Sequence, residues 1–118
     1  MIVTIKSYTD IEQSRKLAEI LPLESADYCW GIDDETLHYN NSPYPCAWKD
    51  YTCKEYYIPC WSLAALFSIL HDYTLQTNTD GTVFVVCESK KPMISDACDN
   101  PVDACYEMIL KLNELKML

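Results

Sequence analysis

Residues 60–70 constrain this chain more than any other segment. Cys60, Trp61, Leu63, Ala64, Ala65, Leu66, Phe67, Ile69 and Leu70 are interrupted only by Ser62 and Ser68. The run is about half of the roughly 20 residues a membrane-spanning helix needs. A helix apolar on every side has to be surrounded by protein, so this one is expected at the centre of the fold. Pro59 suits its first turn, where a missing N–H costs nothing. With 118 residues and 49% hydrophobic content, the chain has enough apolar surface for one domain over 1–118 and no room for a second core.

Two further helices flank this segment. Thr9 and Glu12 form a T-x-x-E capping box, and Leu17, Ile20 and Leu21 follow as an apolar face that Pro22 terminates. The last helix opens on Asn100 as cap, with Pro101 in its first position and Asp103 in its first turn. Val102, Cys105, Ile109, Leu112 and Leu115 give its buried stripe, and Glu107 and Lys111 are spaced for an i,i+4 pair. The helix runs almost to Leu118, so this end is expected to dock.

The strands are read from β-branched and aromatic runs. Residues 28–32 and 36–40 suggest a hairpin about Asp33, Asp34 and Glu35, and Tyr51, Tyr56, Tyr57 and Ile58 suggest a short strand near an edge. Residues 73–77 and 82–87 flank Asp80-Gly81, the clearest hairpin signal in the chain. Val83-Phe84-Val85-Val86 reads as a strand covered on both faces or at a sheet centre. Lys90, Lys91 and Pro92 mark a loop. The expected fold is α+β in the order α-β-β-α-β-β-α, with a mainly antiparallel sheet packed against the helices. The central and last helices should supply most of the core.

Three segments together are similar to a known group. They are Ile11-Glu12-Gln13-Ser14 through Leu21-Pro22-Leu23-Glu24-Ser25-Ala26-Asp27, then Pro59-Cys60-Trp61-Ser62-Leu63-Ala64-Ala65-Leu66, and Asn100-Pro101-Val102-Asp103-Ala104-Cys105 through Leu115-Lys116-Met117-Leu118. They resemble small uncharacterised proteins encoded by phages and mobile elements of gut bacteria. The resemblance covers a little under half of the chain and implies a genetic context and a shared helical core. It carries over no catalytic or binding residue.

Charge narrows the partners. Lys+Arg 9 against Asp+Glu 18 leaves a net charge of −9, which disfavours nucleic acid and anionic membranes. A direct nucleic-acid face would have to be built from Lys49, Lys54, Lys90 and Lys91. Residues 1–6 show no basic stretch leading into an apolar one, so a cytoplasmic protein is expected. Its 7 cysteines cannot all pair internally and should be reduced. Cys46, Cys53 and Cys60 are evenly spaced by seven but lack the close pairs of a structural zinc site. The favoured role of the cysteines is as small buried apolar residues.

Chemical signatures are sparse. Gly31 and Gly81 are the only glycines, which excludes a P-loop and a dinucleotide fingerprint. His38 and His71 sit in no cysteine-protease signature, and His71 is placed to cap the central helix. Asp33, Asp34, Glu35 and His38 are dense enough for a metal-dependent hydrolase, although a solvated turn is the plainer reading. No cofactor is implied. The most suggestive feature is aromatic: Tyr28, Trp30, Tyr39, Tyr44, Trp48, Tyr51, Tyr56 and Tyr57 all lie within residues 28–57. Tyr and Trp dominate interface hot spots, and they also complete small cores. The favoured reading is a non-enzymatic acidic interaction protein, an inhibitor or accessory factor that binds another protein through residues 24–57. Its contact residues would be Tyr28, Trp30, Asp33, Asp34, Glu35, Tyr44, Trp48 and Tyr51. An exposed strand or aromatic patch would equally support a homodimer.

Overall fold

In the computed structural model, which describes residues 6–31, 43–45, 57–70, 72–87 and 93–118, helix α1 (Ile11–Ile20) is capped by Asp10 rather than Thr9. The Asp10 carboxylate accepts from the Gln13 N–H at 2.8 Å, and the Gln13 side chain accepts from the Asp10 N–H at 3.1 Å. The capping box thus moves one residue along, because Thr9 is fully buried and its hydroxyl is engaged elsewhere. The helix ends at Leu21 before Pro22 as expected, and a 3₁₀ turn follows at Leu23–Ser25.

The chain divides into two compact units, and the division falls inside α2 (Leu63–Ile69). One unit spans Tyr8–Ala65. Its sheet has the order β2-β1-β3, formed by β1 (Tyr28–Gly31), β2 (Tyr44–Pro45) and β3 (Tyr57–Cys60), with both neighbours antiparallel to β1. Of the expected strand drawn from Tyr51, Tyr56, Tyr57 and Ile58, Tyr57 and Ile58 lie in β3, at an edge of the sheet among the described residues, whereas Tyr51, Tyr56 and the expected strand at 36–40 lie outside the described residues. Helix α1 packs on β3. Leu17, Cys29, Cys60 and Trp61 are fully buried in this unit.

The other unit joins Leu66–Leu118 to Lys6 and Ser7. Its sheet, β4 (Tyr73–Thr77), β5 (Val83–Cys87) and β6 (Met93–Ile94), has the order β4-β5-β6 and is wholly antiparallel. The apolar strand β5 sits at the centre, as its composition requires. Helix α3 (Pro101–Glu114) packs on it, burying Val102, Ala104, Cys105, Met108, Ile109 and Leu112. Asn100 caps α3 by accepting from the Asp103 N–H at 2.9 Å, and Lys6 pairs with Asp103 at 2.7 Å. The fold is α+β in the expected order, with a two-residue strand added to each sheet.

Four expectations are corrected here. Pro59 and Cys60 belong to β3, so α2 begins at Leu63 with Ser62 Oγ accepting from the Ala65 N–H at 3.2 Å. Only part of α2 is covered: Ala65 and Leu66 are buried, Ala64 and Ser68 exposed. Leu115 is not in the buried stripe; it is 55% exposed because α3 ends at Glu114, and residues 113–118 do not dock. Lys111 does not pair with Glu107; its ammonium donates to the Ile94 carbonyl at 2.9 Å.

The β4–β5 connection shows how one glycine sets a turn. The Asn78 N–H donates to the Thr82 carbonyl at 2.8 Å and the Gly81 N–H to the Asn78 carbonyl at 3.1 Å, leaving three residues at the tip. Gly81 has φ 91, while Asp80 stays out of the left-handed region. Asp80 instead accepts from the Thr82 N–H and hydroxyl, and those bonds hold its carboxyl below the usual 3.8. Gly81→Ala should therefore cost about 1 kcal/mol, read as a lower urea midpoint. Thr9→Val keeps the volume but removes the acceptor for the buried Trp61 N–H. It should cost about 1–3 kcal/mol, with the urea m-value unchanged.

Candidate functional site

The described part of the acidic and aromatic segment is organised by β1. Its alternation buries Cys29 and Gly31 and leaves Tyr28 and Trp30 half-buried on the opposite face. The Tyr28 ring lies 4.8 Å from that of Tyr8, tilted by 53°, an arrangement favoured by the ring quadrupoles. Partial desolvation, then the Tyr8 and Asp27 charges, push the Tyr28 phenol above its usual 10.0. The Trp30 indole N–H donates to the Thr9 carbonyl at 3.1 Å, so this ring is anchored at its polar end. Tyr44 lies in β2 opposite Cys29. Asp33, Asp34, Glu35, His38, Trp48 and Tyr51 lie outside the described residues.

Behind β1 is a polar cluster with no signature in the sequence pattern. Thr9 exchanges bonds with Trp61: its N–H donates to the Trp61 carbonyl at 3.0 Å, and its hydroxyl accepts from the Trp61 N–H at 3.1 Å. Thr9 Oγ1 also lies 2.8 Å from Ser14 Oγ, and the Cys60 thiol donates to the Thr9 carbonyl at 3.4 Å. Thr9, Ser14, Cys60 and Trp61 are all fully buried. The misplaced capping box concealed this group, since a threonine before a helix reads equally well as a cap.

Two acidic-segment residues are structural. The Asp27 carboxylate accepts from both the N–H and the hydroxyl of Ser62, which holds the start of α2. The Ser25 hydroxyl accepts from the Trp61 indole N–H at 3.0 Å. Asp27 is thus engaged within the fold, whereas Glu24 is exposed.

Cys29, Cys60, Cys87, Cys98 and Cys105 are free thiols, and all but Cys98 are buried. Cys46, Cys53, His38 and His71 lie outside the described residues. Burial dominates the Cys60 thiol and pushes it up to about 11, against hydrogen bonds from Thr9 and Ser14 that lower it. Burial likewise raises Cys105 to about 12, with the nearby Cys98 adding to it. Such thiols are poor nucleophiles at neutral pH, because the reactive form is the thiolate. Among the described residues, no three His, Cys, Asp or Glu side chains are grouped to hold a metal ion. No helix among them is long and apolar enough to cross a membrane.

The raised thiols set an alkaline limit on stability. The folded state holds these protons more tightly than the unfolded chain, whose thiols titrate near 9.0. The stability these thiols contribute is fully present below about pH 9 and is lost as pH rises towards about 11 for Cys60 and about 12 for Cys105. The urea midpoint should drop over that window, and Cys105→Ala should reduce the drop.

No family model, no curated protein and no solved structure matches this chain.

Proposed function

We propose that this chain is a non-enzymatic interaction protein that docks onto a basic protein surface through residues 24–57, as an inhibitor or accessory factor of a mobile element. One observation carries the reading: eight of the chain's 14 aromatic rings fall within residues 28–57, in a chain of net charge −9. Aromatic rings supply contact area at low entropic cost, and carboxylates steer a cationic partner towards them. The half-buried Tyr28 and Trp30 agree with this, since each ring is held on one side by Tyr8 or Thr9. Anchored rings lose little entropy on binding. A reducing cytoplasm suits a chain with an odd number of cysteines.

The test is capture from the lysate of a gut bacterium with biotinylated protein, comparing the wild type with Asp33→Asn/Asp34→Asn/Glu35→Gln and with Trp48→Ala/Tyr51→Ala. The expected outcome is one stoichiometric basic partner, bound at least about tenfold more weakly by each variant. Unchanged capture by both variants sinks the proposal. A thermal shift with Mg²⁺, Mn²⁺ or Zn²⁺ that disappears in Asp33→Asn/Asp34→Asn would replace it with a metal-dependent hydrolase using Asp33, Asp34, Glu35 and His38.

A further inference from the structure

The sheet of the unit containing α3 ends in two unlike edges. On the β6 side the ladder is interrupted: Val86 pairs with Ile94 and Val83 with Cys98, so that side takes four residue steps where β5 takes three. The extra residue is a bulge, which hinders pairing with a further strand. Within it, Ser95 is buried and its hydroxyl accepts from the Val85 N–H at 2.8 Å. On the other side β4 is regular over its five residues, Tyr73–Thr77. Among the described residues no strand lies beyond it.

The hydrogen bonds identify which backbone groups of β4 are left over. Val83 exchanges bonds with Cys98, and Val85 with Ser95, on the β6 side. Phe84 and Val86 are then the β5 residues that bond towards β4, to Gln76 and Thr74. The bond from the Asn78 N–H to the Thr82 carbonyl continues the same alternation. Tyr73, Leu75 and Thr77 therefore direct their N–H and C=O groups away from β5. The Tyr73 N–H is taken by the Leu70 carbonyl at 3.1 Å. Among the described residues, nothing bonds the Tyr73 carbonyl or either backbone group of Leu75 and Thr77.

Edge strands are ordinarily protected against further pairing by charge, proline, a bulge or a cover. Strand β4 reads Tyr-Thr-Leu-Gln-Thr, with no charged residue and no proline, in a chain of net charge −9. Thr74, Gln76 and Thr77 are exposed and Leu75 is half-buried. That neutrality selects the occupant. An acidic chain meets a copy of itself with least repulsion where it carries no charge, while a basic segment finds no carboxylate in β4 to recognise. The strand is also self-complementary. With a two-fold axis at Leu75, the two Leu75 residues exchange both bonds, and each Thr77 N–H reaches the Tyr73 carbonyl of the other copy. Thr74 then stands opposite Gln76 and Asp72 opposite Asn78, so no acid faces an acid across the axis. We propose that two copies of this chain pair antiparallel along β4, joining their three-stranded sheets into one continuous sheet.

The test is analytical ultracentrifugation of the full chain over a concentration series reaching about 1 mM, the range of weak association. A monomer–dimer equilibrium is expected. Thr77→Pro removes an outward N–H and no bond to β5, and should weaken the dimer at least about tenfold with the far-UV circular dichroism unchanged. Thr74→Lys/Gln76→Lys sets like charges opposite one another across the axis and should weaken it to the same extent. Thr74→Lys/Gln76→Glu sets unlike charges there and should restore it. The comparison of these two variants stands whether or not the proline variant folds. Trp48→Ala/Tyr51→Ala should leave the dimer unchanged, which separates this edge from residues 24–57. A monomer at every concentration overturns the proposal. So does a dimer that Thr74→Lys/Gln76→Lys leaves intact, that Thr74→Lys/Gln76→Glu weakens equally, or that Trp48→Ala/Tyr51→Ala dissolves.

Discussion

The N–H of Trp61 is buried and donates to a hydroxyl rather than a carbonyl, and much of the unit spanning Tyr8–Ala65 is arranged around that substitution. Thr9 supplies the hydroxyl, returns its own N–H to the Trp61 carbonyl, and offers its carbonyl to Trp30 and Cys60. One residue thereby ties the approach to α1 to β1, to the end of β3 and to the start of α2. A buried donor left without an acceptor costs about 1–3 kcal/mol, a large share of a small unit's stability. In the other unit Ser95 plays the same part for the Val85 N–H beside β6. Both hydroxyls stand where regular strand pairing is interrupted, and among the described residues no buried side-chain polar atom lacks a partner.

These hydroxyl contacts also bear on the two surfaces read as functional. The Thr9 carbonyl holds the Trp30 indole at the edge of the acidic and aromatic segment. The Ser95 hydroxyl satisfies Val85 at the bulge beside β6, which leaves β4 as the regular edge of that sheet. In each case a neutral, fully satisfied buried group fixes the backbone, and a partly exposed surface in the same unit is left for a partner. That division suits binding through preorganised surfaces, where the affinity lost to ordering is small.

Much of the architecture could be read directly from residue order. Asn100-Pro101 marked the start of α3, and the Val83–Val86 run marked the central strand of its sheet. Asp80-Gly81 marked the hairpin, although only Gly81 takes a positive φ and Asp80 contributes through its side chain. The errors share a cause: local rules rank a residue by what it can do, and burial decides what it does. Thr9 can cap a helix, but packing against Trp61 makes that hydroxyl a core acceptor, and Asp10 caps instead. Pro59 and Cys60 can begin a helix, but their pairing with Cys29 and Tyr28 extends a strand. Of the proposed contact residues, only Tyr28, Trp30 and Tyr44 lie in the described strands, and the open edge at β4 was not legible, since which strand ends a sheet depends on pairings beyond the hairpin.

By itself, the order of residues determined the type of α1, α3, β4 and β5, the acidity and the scarcity of glycine that excludes phosphate-binding loops, because these depend on local backbone preference and on composition. Tertiary structure alone decided that Thr9 is buried, that Asp27 holds α2, that Lys111 binds a carbonyl instead of Glu107, and that Leu115 is left exposed. Each of those outcomes turns on which groups lose water and which partners come within hydrogen-bond reach, and both depend on residues far apart in the chain.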